Sequence, residues 1–131
     1  MRIRGSVVIV ENTKVALIKR ERNDSVYYVF PGGGIEKGET LEDGTKREAF
    51  EELGLEVKLN KCIATYEFNG LQYFYHCDVI DGIFGTGTGE EFTNTLRERG
   101  SYQPIWMDIK KLLYIDVRPK EVALKVYALF K

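Results

Sequence analysis

Residues 33–55 read GGIEKGETLEDGTKREAFEELGL, and this run constrains the fold more than any other part of the chain. Thr40 is placed to cap a helix N-terminus. Asp43, three residues on, takes the slot where a capping box prefers Glu or Gln, and Gly54 suits a left-handed helix end. The spacing predicts a helix over residues 41–53. At 100° per residue from Leu41, Glu51, Glu48 and Glu52 fall at roughly 280°, 340° and 20°, and Ala49, Leu53 and Phe50 at roughly 80°, 120° and 180°. Three carboxylates are therefore expected on one face and apolar side chains on another.

Like charges at three- and four-residue spacing repel, so the acidic face calls for a cation. A hard divalent ion such as Mg²⁺, which takes a few carboxylates, retains water and completes its shell with phosphate oxygens, fits the need. The plain alternative is a solvated acidic face. Arg47, on the flank of that face, can hold Glu39 or Glu51. Ahead of the helix, Gly32, Gly33 and Gly34 after Pro31 are expected to turn tightly, to approach a ligand closely and to leave the Gly33 carbonyl free for a metal.

The same segment resembles the signature of the Nudix hydrolases: Gly33, five residues, Glu39, seven residues, Arg47-Glu48, an apolar and a free position, Glu51-Glu52, one free position, Gly54 and an apolar residue. Seven fixed identities arise by chance at a given start with a frequency on the order of 10⁻⁸. The resemblance extends to Phe30-Pro31-Gly32-Gly33 and to Pro104-Ile105-Trp106 with Leu112. It implies an α/β fold, the Nudix-type α/β/α sandwich with a mixed sheet. It also implies hydrolysis of a diphosphate linkage in a nucleoside diphosphate derivative by water attack at phosphorus, with Mg²⁺ or Mn²⁺. The implied metal ligands are the Gly33 carbonyl, Glu48, Glu51 and Glu52. Glu48 is the first choice of general base and Glu52 the second, with Arg47 and Glu39 alongside. Some relatives take a further glutamate from a later loop, which puts Glu91, or Glu90, beside the glycine-rich segment 85–89. Ala49 and Gly44 depart from the usual pattern by being small. Gly44 costs the helix about 1 kcal/mol relative to Ala, and both positions are expected to allow close packing.

A chain of 131 residues with 44% hydrophobic content is expected to form one domain, residues 1–131. A net charge of -1 argues against a stable nucleic-acid partner. The sequence has no apolar run of membrane-spanning length and no signal-peptide core in residues 1–5, so a cytoplasmic location is expected. Cys62 and Cys77 read as unpaired core thiols. The single histidine, His76, excludes His-based zinc sites and Ser-His-Asp triads.

Strands are expected near residues 4–10, 14–20, 27–30, 57–68, 71–80 and 102–107, with turns at Glu11-Asn12-Thr13 and Asn69-Gly70. Further helices are expected over 109–113 and, opened by Pro119 in its first turn, over 119–130. Candidate substrate contacts are Arg4, Lys19 and Arg20 for phosphates and Tyr27, Tyr28, Phe30, Tyr73 and Tyr75 for a base. Tyr73, 18 positions after Leu55, resembles the tyrosine of the diadenosine-polyphosphate hydrolases of the family. Leu71, where ADP-ribose pyrophosphatases carry proline, counts against that specificity. The expected substrates are nucleoside triphosphates or dinucleoside polyphosphates, and the resemblance leaves a homodimer open. Two rival readings stand: a non-catalytic Nudix-like nucleotide-sensing module, which has no need of every glutamate, and a prenyl-diphosphate isomerase, which needs a catalytic cysteine that neither Cys62 nor Cys77 supplies near the box.

Overall fold

The computed structural model describes residues 2–87 and 100–131. Within them the strands are β1 (Ile3–Val8), β2 (Val10–Glu11), β3 (Lys14–Arg22), β4 (Ser25–Val29), β5 (Gly32–Gly34), β6 (Leu55–Glu67), β7 (Leu71–Gly82), β8 (Ser101–Asp108) and β9 (Val117–Arg118). The helices are α1 (Leu41–Leu53), α2 (Lys120–Phe130) and a 3₁₀ segment, Ile109–Leu113. One sheet has the order β5-β1-β7-β6, in which β1 runs parallel to β7 and antiparallel to β5. The other has the order β2-β3-β4-β9, with β8 running along β3.

Strand alternation sends neighbouring side chains to opposite faces, and the sequence exploits this to build two cores. Val8, Val15, Leu17 and Phe74 pack with Leu112, Val122 and Val126 on the α2 side. Val7, Ala16, Ile18, Val57 and Cys77 pack with Ala49 and Leu53 on the α1 side. Burying a side chain such as Leu17 or Leu53 stabilises the fold by about 1.5–3 kcal/mol. The strands thus lie between α1 and α2, an α/β/α sandwich with a mixed sheet.

Several boundaries differ from the sequence expectation. Asn23 and Asp24 adopt positive φ (51° and 65°) and close a tight hairpin, so β3 extends to Arg22 and β4 begins at Ser25. The first strand stops at Val8 and resumes as β2. The glycine run does not turn: Gly32–Gly34 is a strand paired with β1, placing Gly33 opposite Gly5. Pro119 occupies the N-cap of α2 (φ -79°, ψ 141°) rather than its first turn. The inward stripe of α1 is Gly44, Thr45, Glu48, Ala49, Glu52 and Leu53. It is centred between the expected acidic and apolar faces, which leaves Phe50 54% exposed and turns two of the glutamates inward.

Candidate active site

Helix α1 is fixed at both ends. The Thr40 hydroxyl accepts from the Asp43 N–H at 3.0 Å, and Gly54 at φ 78° closes the C-terminus by donating to Phe50 O. Two glycines let the helix lie close to β1 and β5. A Cβ on Gly5 would strike the Thr45 side chain, and one on Gly33 would strike the Glu48 carboxylate. Gly44 is likewise tight against Ile35 and Glu39. This proximity holds Glu48 and Glu52, one turn apart, at only 9% and 6% exposure. Glu52 Oε1 accepts from the Gly32 N–H at 2.7 Å, a charge-assisted bond that orients the carboxylate.

Arg47 is the hub beside them. Its Nε donates to Glu39 Oε2 at 2.7 Å and its Nη2 to Glu39 Oε1 at 3.0 Å, a two-point clamp. The same guanidinium reaches Glu48 Oε2 at 3.2 Å, Glu51 Oε2 at 3.1 Å and Gly34 O at 3.0 Å. The hydrogen bonds to Glu39, then those to Glu51 and the charge of Glu48, push the Arg47 pKa well above its usual value. In return Arg47, helped by the Glu36 N–H, holds the Glu39 carboxyl below its ordinary range. Arg47 therefore acts by positioning the acidic residues around it.

Glu48 and Glu52 open onto a cleft of about 880 Å³ whose walls include Gly32, Gly33, Gly34, Phe30, Arg2, Arg4 and Arg20. Arg4 and Arg20, named as phosphate contacts from the sequence, line this cleft, and Arg20 also stacks on Tyr102 at 3.6 Å. Other expected contacts are placed elsewhere. Glu51 lies outside the cleft lining, held by Arg47. Tyr28 packs against the α2-side core and does not line the cleft. Tyr75 packs into the α1-side core, and Tyr73, two residues before it, shares that face. Lys19 pairs with Glu21 at 3.7 Å, and Tyr27 lies between Arg20 and Arg118. Glu90 and Glu91 fall outside the described residues.

Sequence reading missed Arg2 and Ser6, which flank Arg4 at two-residue intervals and share its face; that alternation was the available signal. It also missed Tyr66, Phe68, Gln72 and the segment 116–121, which reach the cleft through strand pairing and left no local mark. Within that segment the Arg118 guanidinium, hydrogen-bonded at 2.9 Å, keeps the Asp116 carboxyl below its ordinary range.

Does this donor set suit a divalent cation? Among the described residues no three carboxylate, imidazole or thiol groups converge on a ready-made cage. Two buried carboxylates beside a backbone segment too close to admit a Cβ do suit a hard ion that keeps several waters and borrows oxygens from its substrate. Glu48, Glu52 and the Gly33 backbone are the residues that fit it.

The chain matches the NUDIX domain over residues 1–128. Among curated proteins it is similar to the oxidized purine nucleoside triphosphate hydrolase of Mus musculus, 31% identical over 94 residues, covering 69% of this chain and 54% of the relative. It is also similar to the putative 8-oxo-dGTP diphosphatase of Bacillus subtilis (strain 168), 32% identical over 89 residues, covering 68% and 56%. The chain thus spans about half the length of these relatives. A NUDIX hydrolase from Nitrosomonas europaea shares the fold with a TM-score of 0.73 at 18% identity, over 99% of this chain and 90% of that one. No helix among the described residues is long and apolar enough to cross a membrane. Nudix hydrolases generally use divalent metal ions. The match over residues 1–128, with the acidic helix and glycine strand at its centre, shows that the chain belongs to the NUDIX family.

Proposed function

We propose that this chain hydrolyses a diphosphate linkage in a nucleoside diphosphate derivative, with nucleoside triphosphates the first substrates to try, and that Mg²⁺ is its working metal. One observation carries the reading: two nearly buried carboxylates, Glu48 and Glu52, open onto a cleft that also presents Arg2, Arg4 and Arg20. Arg47 meets Glu48 from one side; on the cleft side the paired carboxylates suit a hard cation, and the arginines suit the phosphate groups that such a cation would share. The cleft volume lies in the range of small-molecule sites. Two curated relatives are named for nucleoside triphosphates, and others for ADP-ribose and RNA, each name pointing to a diphosphate linkage.

Glu48, Glu52 and the Gly33 carbonyl would hold the ion, which when bound neutralises phosphate oxygens and lowers the pKa of water. Glu48 accepts a proton from the attacking water as its oxygen bonds to phosphorus; the bridging P–O bond breaks and its electron pair leaves on the second phosphate. Glu52, already fixed by the Gly32 N–H, suits ligation better than proton transfer. Arg47 and Glu39 keep α1 and the glycine strand in register. Glu51, engaged by Arg47, is left out of the ligand set. The same reading takes residues 1–131 as one domain, acting on small nucleotides in the cytoplasm.

The test is product release from nucleoside triphosphates including oxidised purines, dinucleoside polyphosphates, ADP-ribose, nucleotide sugars and NADH, with Mg²⁺, Mn²⁺ or chelator. Metal-dependent cleavage of one class supports the reading. Saturable nucleotide binding without turnover in either metal would replace it with the sensing module.

A further inference from the structure

The strand register of the mixed sheet sets four residues side by side: Gly34 of β5, Arg4 of β1, Gln72 of β7 and Tyr66 of β6. All four line the cleft. Neighbouring strands lie 4.7–4.9 Å apart, so the row runs about 14 Å from the glycine strand to Tyr66. Its chemistry changes along that length, from the strand beside Glu48, through a guanidinium and a neutral amide, to a phenol ring. The cationic end suits a phosphate, and the amide and ring beyond it suit a nucleobase. Beyond Tyr66, Phe68 also lines the cleft, and its ring is 65% exposed. Packing does not require an aromatic ring there, and a planar ligand could cover it.

Gln72 stands at the middle of this row. It is half-buried, and among the described residues its side-chain amide makes no hydrogen bond. Lining the cleft, the amide keeps its donors and its acceptor available to a ligand. We propose that Gln72 is the specificity-determining residue of this cleft: its amide, one donor beside one acceptor, pairs with the edge of a nucleobase while Tyr66 and Phe68 cover the base face. The matching edge offers a donor next to an acceptor, as adenine does through its amino group and N7; the guanine N7 and O6 edge offers only acceptors and leaves the amide oxygen unpaired. The proposal rests on the cleft being a nucleotide site and adds to that reading the residue that reads the base.

The experiment is equilibrium titration, with Mg²⁺ present, of AMP, GMP, CMP, UMP and the base-free probe ribose 5-phosphate into wild type, Gln72→Leu and Gln72→Glu. In wild type the best mononucleotide should bind at least tenfold more tightly than ribose 5-phosphate. Gln72→Leu should remove about tenfold of that difference and flatten the ranking of the bases, leaving ribose 5-phosphate affinity unchanged. Gln72→Glu, isosteric but able only to accept, should reorder the bases instead. An unchanged base ranking in both variants, or equal losses for ribose 5-phosphate and mononucleotides, would overturn the assignment. So would a wild type that binds no mononucleotide better than ribose 5-phosphate. Binding is read without turnover, so a chain that is only a sensor still answers the question. A wild type that hydrolyses nucleotides while both variants keep its base ranking would refute the role of Gln72 and leave the hydrolase reading standing.

Discussion

Glu52→Gln separates the chemistry of the acidic pair from its architecture. In the native protein Glu52 Oε1 accepts from the Gly32 N–H at 2.7 Å, and a glutamine carbonyl oxygen can accept the same bond without moving the backbone. What is lost is charge. A charge-assisted hydrogen bond contributes about 1.5–3 kcal/mol against about 0.5–1.5 for a neutral one, a deficit of roughly 1 kcal/mol. The relief of burying one less carboxylate, at 6% exposure and beside Glu48, offsets part of it. The melting temperature should therefore shift by no more than about 4 °C for a chain of this size. Turnover should suffer far more, because the carboxylate is one of two side chains available to hold the metal. A fall in kcat of at least 10² is expected, equivalent to about 2.7 kcal/mol of lost transition-state stabilisation. Steady-state kinetics at saturating Mg²⁺ reads kcat, calorimetry the melting temperature, and Mn²⁺ titration followed by electron paramagnetic resonance reports the loss of a metal site. A variant that keeps kcat within threefold and binds Mn²⁺ like wild type would refute the metal-site assignment.

The glycine strand offers a matched pair. Gly33→Ala drives a methyl into the Glu48 carboxylate, whereas at Gly34 the nearest atom to a new Cβ is the mobile end of Arg2 at 3.7 Å; kcat should fall at least tenfold in the first and stay within threefold in the second. Cys77 is 2% exposed, and burial pushes its thiol up to about 12. Iodoacetamide at pH 8 should therefore modify Cys62 alone in the folded protein, and native mass spectrometry showing early labelling of Cys77 would contradict the buried placement. Glu39 titrates below its ordinary value near 4.5 through its bonds to Arg47 and the Glu36 N–H. Because its folded value is the lower one, its contribution to stability is complete above pH 4.5 and is lost as pH falls through the folded value. The difference in urea midpoint between wild type and Glu39→Gln should be constant from pH 6 to 8 and shrink below pH 4.5; a constant gap down to pH 3 would refute the pairing.

The elements that were legible in the sequence are those specified by near neighbours. Thr40, Asp43 and Gly54 name the two ends of α1 because a cap is a contact over three or four residues. Runs rich in Val and Ile marked β1 and β3 for the same reason. The misread segments depended on partners distant in the chain. Three glycines in a row read as a turn until β1 is placed beside them, and then, with Gly5 of β1, they let α1 sit close. Phe50 was expected on the apolar face of the helix with Ala49 and Leu53, but the sheet meets α1 about 150° away from it on the helix wheel, along the line of Glu48, Glu52 and Ala49.

That same offset explains why the acidic pair was easier to place than the far wall of the cleft. One helix face needs residues three and four apart, so Glu48 and Glu52 were expected together, with Arg47 on their flank. Glu51 carried the same local signal, yet its position a further quarter-turn round the helix gives it to Arg47 instead of the cleft, a distinction that depends on where the sheet lies. The surface expected to meet the rest of a nucleotide is assembled from β1, β6 and β7 in a row that crosses strands rather than following one. Arg4, Gln72 and Tyr66 are 68 and 6 positions apart in the chain, and only the register of β1 with β7 and of β7 with β6 brings them together. A shift of one residue in either pairing would turn Tyr73 inward in place of Gln72. The row that lines the cleft is thus a property of strand register, and changes that slip or bulge β7 should rearrange it while leaving the acidic pair on α1 in place.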